Sequence, residues 1–496
     1  MNNFGKVYLV GAGIGSEDYI TVRAKRVIEE ADVIVYDRLL NPKLLDKKDE
    51  TTEFINVAKE SSNHLFSQDE INDILAKKSY EGKTVVRLKG GDPYVFGRGG
   101  EEAEYLVDRG IEVEVIPGIT SGIAGLCFAG IPATHRDYSS SLHLITGHKK
   151  DEADLDYDTL SKLHGTLVFY MGLGNLPIIS SSLIKSGKNE ETACAVISHA
   201  GYADQKVLTS SLKNIANDIK NTEFKSPSLI VVGDVINLRK NLNFFENRPL
   251  FGKNIVVTRS REQSSSLVNK LNSLGANVIE VPTISIKPIN HEKLKYEQNN
   301  LKKYTHIIFT SVNGVKIFMS SLLENQDARA LGNALIYAIG SETAEELLKY
   351  GIRADFLPSK YVAEILYDEI KDNIKSTDVI LLPRALKARP LLFDKLSEIC
   401  KVVELPIYDT NPEEIEHEVI QELETSKIDY ITFTSSSTVV NFVKSTNDDI
   451  VENIKKAKLI SIGPITSETA ESYGFKVYKE AEIHNVENLV KILLEE

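Results

Sequence analysis

At 496 residues the chain is longer than one hydrophobic core fills, since single cores stop growing at roughly 250 to 300 residues, so several domains are expected. Hydrophobic residues at 42% and charged residues at 26% are those of an ordinary globular protein, which excludes a disordered or fibrous chain. A net charge of -13 argues against nucleic acid as a partner, because phosphate binding needs a basic face, and any anionic substrate must meet local donors instead.

The N-terminal MNNFGKVYLVGAG has too short an apolar run for a secretion signal, and no later run approaches the roughly 20 apolar residues of a membrane span. A cytoplasmic protein without a membrane partner is expected. Cys127, Cys194 and Cys400 are odd in number and far apart, so neither a disulfide framework nor a zinc site is predicted. His143 and His148 do not match a metal-ligand spacing, and no metal is expected.

The first half alternates strands and helices. KVYLVGAG predicts a buried strand running into a glycine turn, and Ile20, Ala24, Val27, Ile28 and Ala31 follow at helical spacing. DVIVYD, TVVRLKGG, IEVEVIPG, SLHLITGH, GTLVFYMG, ETACAVIS and PSLIVVGDV are further strands, each bounded by glycine, proline or a polar turn. The pattern ends near Val235, and INLRKNLNFFENRPLFGKN places a boundary between Arg239 and Lys253, before the strand NIVVTR. The fold class is α/β. The predicted domains are 1–245, divided near residue 117 into parts 1–117 and 118–240, a linker at 246–252, and 253–496.

Gly11, Gly13 and Gly15 follow a strand, and Asp37 ends the next one, which invites a dinucleotide-binding reading and with it a nicotinamide-dependent oxidoreductase. Against this, Ser16 stands where the sixth position of GxGxxG requires glycine. RLKGGDPYVFGRGGEE is more specific. Its paired glycines allow close approach of a ligand to the backbone, and Glu101 and Glu102 open a helix at its favourable end.

The second half is internally duplicated. IIFTSVNGVKIF from Ile307 matches ITFTSSSTVVNF from Ile431, and AIGSETAEELLKYG from Ala338 matches SIGPITSETAESYG from Ser461. More loosely, the segment opening NIVVTR matches the one opening DVILLPR. Two similar α/β lobes are predicted, with EVPTISI and ELPIYDT as the crossings between them. One lobe then comprises about 253–285 with 410–496, the other 286–409, joined by two strands. FTSVNG and FTSSST put hydroxyls and free helix-start amides at strand ends, a means of binding carboxylates without net positive charge, although ordinary helix caps would look the same.

KVYLVGAGIG, ADVIVYDRL, RLKGGDPYVFGRGGEEAEYL, VIPGITSGIAG, AGIPATHR, TGH, TLVFYMG and LIVVGDV together resemble the uroporphyrinogen-III C-methyltransferases over Val7 to Val235. The resemblance implies a two-domain tetrapyrrole methylase fold that binds S-adenosylmethionine, pairs as a homodimer through this half, and methylates uroporphyrinogen III twice, at C2 and C7, to give precorrin-2. Cofactor contacts would fall on Gly13, Ile14, Gly90, Gly91, Asp92, Val95, Thr120, Ser121, Met171 and Gly201, with Arg98 toward the substrate. Asp37 takes the place of the proton acceptor and Lys59 that of the donor. Three segments depart from the family: Ile14 replaces a proline, Ala58 to His64 reads AKESSNH with Glu60 at a usual arginine, and the stretch around Gly201 reads SHAGYADQ. Loss of that cation should weaken binding of an octacarboxylate.

VVTR, FTSVNGV, AIGSETA, LLPRA, PIYDT, FTSSSTV and SIGPITSETA, from Asn254 to about Leu494, resemble the uroporphyrinogen-III synthases. That resemblance implies a bilobal fold and closure of hydroxymethylbilane to uroporphyrinogen III, with loss of water and inversion of the last pyrrole. Tyr408 matches the tyrosine that assists departure of the hydroxyl. Thr310, Ser311, Asn313, Ser435, Ser436 and Thr466 are the expected substrate-facing residues. The expectation is a bifunctional enzyme feeding sirohaem or cobalamin synthesis; the alternative is a chain in which one half has lost activity, leaving a single-activity synthase or a tetrapyrrole-binding protein.

Overall fold

The computed structural model describes residues 4–37, 40–45, 51–57, 66–147, 155–258, 261–360, 363–413, 415–483 and 485–495. Lys59 and the whole segment 58–64 lie outside them. The chain divides into two compact units, one of residues 1–253 with 271–277, the other of 254–270 with 278–496.

In the first unit the apolar runs become β1 (Val7–Gly11), β2 (Val33–Tyr36), β3 (Glu53–Asn56), β4 (Val85–Lys89) and β5 (Val113–Ile116). They form one all-parallel sheet in the order β3-β2-β4-β1-β5. Helices cover both faces, and so the central strands are continuous hydrophobic runs. Alternate residues divide between two cores: Val7, Leu9, Val33, Val35 and Val85 on one face, Val10, Ile34, Val86 and Leu88 on the other. The helix Val22–Glu30 buries Ala24, Val27 and Ile28, the stripe predicted from their spacing.

A second sheet holds β6 (Leu142–Thr146), β7 (Thr166–Tyr170), β8 (Ala193–Ser198), β9 (Lys206–Ser211) and β10 (Ser228–Val232), in the order β6-β7-β10-β8-β9. β10 runs antiparallel to both neighbours, so β6, β7 and β8 share a direction and end on one edge. β3 and β9 escape prediction because their exposed polar residues break the apolar run. Phe245, just before the predicted linker, is buried against Ala124 and Phe128, and Glu246, its first residue, accepts from Gln205 Nε2 at 2.7 Å and pairs with Arg239 Nη2 at 2.6 Å.

The second unit carries β11 (Asn254–Val257), β12 (Asn277–Glu280), β13 (Ile284–Pro288), β14 (His306–Phe309), β15 (Leu335–Ala338), β16 (Val379–Ala385), β17 (Lys401–Pro412), β18 (Tyr430–Phe433), β19 (Lys458–Ser461) and β20 (Val477–Glu480). Their two sheets run β12-β11-β18-β19-β20 and β13-β17-β16-β14-β15. With the duplicated segments aligned, β12-β11-β18-β19 corresponds strand for strand to β17-β16-β14-β15. The isolated parallel bridge Tyr337–Phe356 stands where β20 pairs with β19. The crossings pair with each other: Ile284 lies opposite Pro412, Ile286 opposite Thr410 and Pro288 opposite Tyr408. The early part of β17 pairs parallel with β16 and its late part antiparallel with β13. Among the described residues no helix is long and apolar enough to cross a membrane, and no group of three or more His, Cys, Asp or Glu is placed to hold a metal.

Candidate active sites

Strand order assembles the first site. Because β4 is inserted between β2 and β1, the segments after β2, β4, β1 and β5 lie side by side along the carboxyl edge of the sheet, where open α/β sheets place their ligands. From one end to the other these are Asp37, the Gly90–Asp92 turn, the Gly11–Gly15 turn and the Gly118–Ser121 turn. The two glycine turns bond to each other: the Gly13 amide donates to Gly91 O at 3.1 Å, and the Gly91 amide to Gly13 O at 2.8 Å. The Ala12 amide donates to Lys89 O. A side chain on Gly118 would place its Cβ 2.2 Å from Gly91 O and 2.8 Å from Gly11 Cα, so the three backbones meet only as glycines.

These amides are spent on one another, and Glu17 and Asp18 stand in the short helical turn that follows. Both features are wrong for pyrophosphate, which needs free amides and no acid at the helix start. The dinucleotide reading fails on that ground. Asp92 ties the edge together, with Oδ1 accepting from the Tyr94 amide at 2.8 Å and Oδ2 from the Gly118 amide at 3.1 Å.

The second sheet closes onto this edge. Thr120 is buried at the start of the helix Ser121–Phe128 without capping it. Instead the Tyr170 hydroxyl accepts from the Gly122 amide at 2.6 Å and bonds Thr120 Oγ1 at 2.8 Å. Met171 follows, exposed and with φ of 54°. Gly201 follows β8 at φ of 86° and comes so near Gly15 that a Cβ on Gly15 would lie 2.6 Å from Gly201 O. Ile14 packs against Ala124 and Phe128, and Val95 against the core that contains Leu126 and Tyr170. Arg98 is half-exposed, and its guanidinium is engaged by Glu101 at 2.6 Å.

Beneath Asp37 lies a buried polar system that sequence reasoning did not single out. Arg87 and Lys89 occupy the face of β4 that also carries Val85, and neither side chain is more than 5% exposed. Glu102 is wholly buried; its Oε1 accepts from Lys89 Nζ at 2.8 Å, Gln68 Nε2 at 3.1 Å and Arg87 Nε at 3.3 Å, while Oε2 has no hydrogen-bond partner. Arg87 Nη2 reaches Asp37 Oδ2 at 3.3 Å. Burial, with the Arg87 guanidinium beside it, holds the Lys89 ammonium below the usual lysine value. The signal available in the sequence was two cations at alternate positions of an otherwise apolar strand.

In the second unit the expected residues fall into two groups, one for each copy of the duplication. Ser311 caps the helix Val312–Leu323, accepting from the Gly314 amide at 3.0 Å, and its Oγ lies 2.8 Å from the Tyr408 hydroxyl. Asn313 is buried with Oδ1 unpartnered, and Thr310 directly follows β14. The tyrosine hydroxyl is set by two neighbours. Burial holds it above the ordinary tyrosine value, an effect that the Ser311 hydrogen bond and the Arg384 charge offset only in part. In the other copy Ser435 caps the helix Ser436–Ser445 with a reciprocal Thr438 bond, and Ser436 Oγ donates to Ile465 O at 3.2 Å, beside buried Thr466.

Residues 6–216 match the family model of Tetrapyrrole (Corrin/Porphyrin) Methylases and residues 265–491 that of Uroporphyrinogen-III synthase HemD. The "Porphyrin biosynthesis protein HemD" of Ruminiclostridium josui is 39% identical over 497 residues, covering 99% of this chain and 98% of that protein. The chain belongs to that family. Its methylase half is also 50% identical over 239 residues to the "S-adenosyl-L-methionine-dependent uroporphyrinogen III methyltransferase" of Methanosarcina barkeri, covering 48% of this chain and 94% of that protein. Among solved structures, uroporphyrin III C-methyl transferase from Thermus thermophilus in its native form is 34% identical, covering 47% of this chain and 100% of that one, with a TM-score of 0.41. In the methylase half Gly13, Ile14, Gly90, Gly91, Asp92, Thr120, Ser121, Met171 and Gly201 lie along the facing sheet edges. In the synthase half Ser311 and Tyr408 are in direct contact.

Proposed function

We propose that the chain is a bifunctional enzyme that closes hydroxymethylbilane to uroporphyrinogen III and then methylates that product at C2 and C7 to precorrin-2. The observation that carries the methyltransferase reading is the Asp37 carboxylate, oriented from below by Arg87 at the edge where the glycine turns meet. Gly90, Gly91, Asp92, Thr120, Ser121 and Met171 would hold S-adenosylmethionine, a fit supported by turns whose amides are already paired and so suit a ligand without phosphate. When bound, it supplies the methyl group as a sulfonium. Asp37 removes the proton that the substrate macrocycle loses once a pyrrole carbon has been methylated, and Lys59 is the proposed donor.

In the synthase half the linear substrate is intrinsically reactive, and positioning dominates. Ser311, Asn313, Ser435, Ser436 and Thr466 hold its carboxylates through hydroxyls and helix-start amides. Tyr408 gives a proton to the departing hydroxyl. The deciding experiment supplies fresh hydroxymethylbilane with and without S-adenosylmethionine and separates the oxidised products. Isomer III alone without the cofactor, and dimethylated product with it, is the expected result. Isomer I alone removes the synthase assignment, and isomer III that is never methylated means that the first half is inactive.

A further inference from the structure

The segment after β10, where none of the site residues expected from the sequence falls, is bonded into the cofactor edge of the methylase half. Gln205 ends the SHAGYADQ loop and is only 4% exposed. Its Oε1 accepts from the Gly201 amide at 2.9 Å, while Nε2 donates to Phe128 O at 3.2 Å and to Glu246 Oε1 at 2.7 Å. One N–H facing the oxygen and two acceptors facing the nitrogen fix the side-chain amide in a single orientation. Glu246 is held in turn, with Oε2 paired to Arg239 Nη2 at 2.6 Å, and both of these side chains are mostly buried. Arg239 Nη1 donates to Ala129 O.

Phe128 and Ala129 close the helix that opens at Thr120 and Ser121. The last carbonyls of a helix have no partner within it, and here Gln205 and Arg239 supply two of them, with the Arg239 charge at the end of the dipole that favours a cation. The amide that caps this helix also pins Gly201, whose carbonyl oxygen lies against Gly15. Phe245, beside Glu246 in the chain, packs on Ala124 and Phe128, and Ile14 packs against the same cluster. The Gly13–Gly15 turn, the helix Ser121–Phe128 and the Gly201 turn thus share one support.

We infer that Gln205 and Glu246 are positioning residues for S-adenosylmethionine: Gln205 ties the Gly201 turn to the far end of the helix that starts at Ser121, and Glu246 holds the Gln205 amide in the orientation that does so. This deepens the methyltransferase reading above and rests on it. Neither side chain is among the proposed cofactor contacts, so both act on how far the site is formed before the ligand arrives. An edge that must be ordered at the moment of binding loses affinity by the cost of that ordering. The groups that would move the proton, Asp37 and Lys59, lie outside this network. The effect therefore falls on Kd and KM for S-adenosylmethionine and spares kcat at saturation.

The test uses the full chain and titrates it calorimetrically with S-adenosylmethionine, with methyl transfer at saturating cofactor measured alongside. Glu246→Ala and Gln205→Ala should each raise Kd about tenfold, the scale of a lost buried hydrogen bond to a charged group, with saturated methyl transfer within about twofold of wild type. The double variant should bind no more weakly than Gln205→Ala alone, because Glu246 acts through Gln205. Where an alanine variant fails to fold, an isosteric pair decides the matter. Gln205→Glu keeps the shape but sets a carboxylate against Glu246 and Phe128 O, and should raise Kd about tenfold; adding Glu246→Gln exchanges donor for acceptor and should bring Kd back to within about threefold of wild type. Unchanged Kd in either single variant, additive losses in the double, no recovery in the exchanged pair, or slower saturated methyl transfer at unchanged Kd would overturn the inference. A wild-type chain that does not bind S-adenosylmethionine would instead remove the reading on which it rests.

Discussion

Asp37 and Glu102 do different work in one chain of charges, Asp37 at its part-exposed end and Glu102 buried between Arg87 and Lys89. Asp37→Asn keeps the shape and loses the base, so methyl transfer should fall by about 10² to 10⁴-fold while isomer III still forms at the wild-type rate. Glu102→Ala strands Arg87 and Lys89 as buried cations without their shared anion, which costs about 3–5 kcal/mol. Chemical denaturation should show this as a lower midpoint. Of the cysteines, Cys127 is exposed, whereas burial pushes Cys194 up to about 12 and raises Cys400 also. A thiol reagent at pH 8 should therefore label Cys127 first and leave the other two until the protein is unfolded. Asp37 was legible in the sequence because it ends a strand in a recognisable segment. Glu102 was not, because its partners are supplied by β4 and the helix Gln68–Tyr80, and only folding brings them to it.

Among the elements, the turns are less forgiving than the strands. Gly118→Ala would drive a methyl group into Gly91 O and Gly11, two backbones that cannot give way. The cofactor edge should open, and S-adenosylmethionine affinity measured by calorimetry should fall by tenfold or more. The SHAGYADQ loop carries its own pH signature. The Asp204 hydrogen bond at 2.8 Å raises His199 above its ordinary value of about 6.5. A raised histidine contributes stability that is complete below the unfolded value and is lost as pH rises through the folded one. His199→Asn, which tolerates the φ of 51° at that position, should therefore lower Tm at pH 5.5, with the difference shrinking through pH 7 to 8. The strands were legible by their apolar runs, whereas β3 and β9 were hidden because their exposed polar residues interrupt any such run.

For the whole molecule, two compact units each with its own sheets predict two calorimetric transitions. A ligand that binds only one native unit stabilises it by about 2.7 kcal/mol at 100 times its Kd. S-adenosylmethionine should raise one transition and leave the other in place; movement of both together would mean that the units unfold as one. The sequence by itself determined the α/β class, the two-part organisation and the duplication, because hydrophobic period and repeated segments are local properties of a chain. The order in which strands pair is not local. Only the tertiary structure set β4 between β1 and β2 and so brought Asp37 and the glycine turns to one edge. It also put the two crossings in register. The partners of Asp37 and Tyr408, Arg87 beside Glu102 for the one and Ser311 for the other, were decided there too. A charge becomes functional through what surrounds it once water has been excluded, and that is settled by packing between residues far apart in the chain.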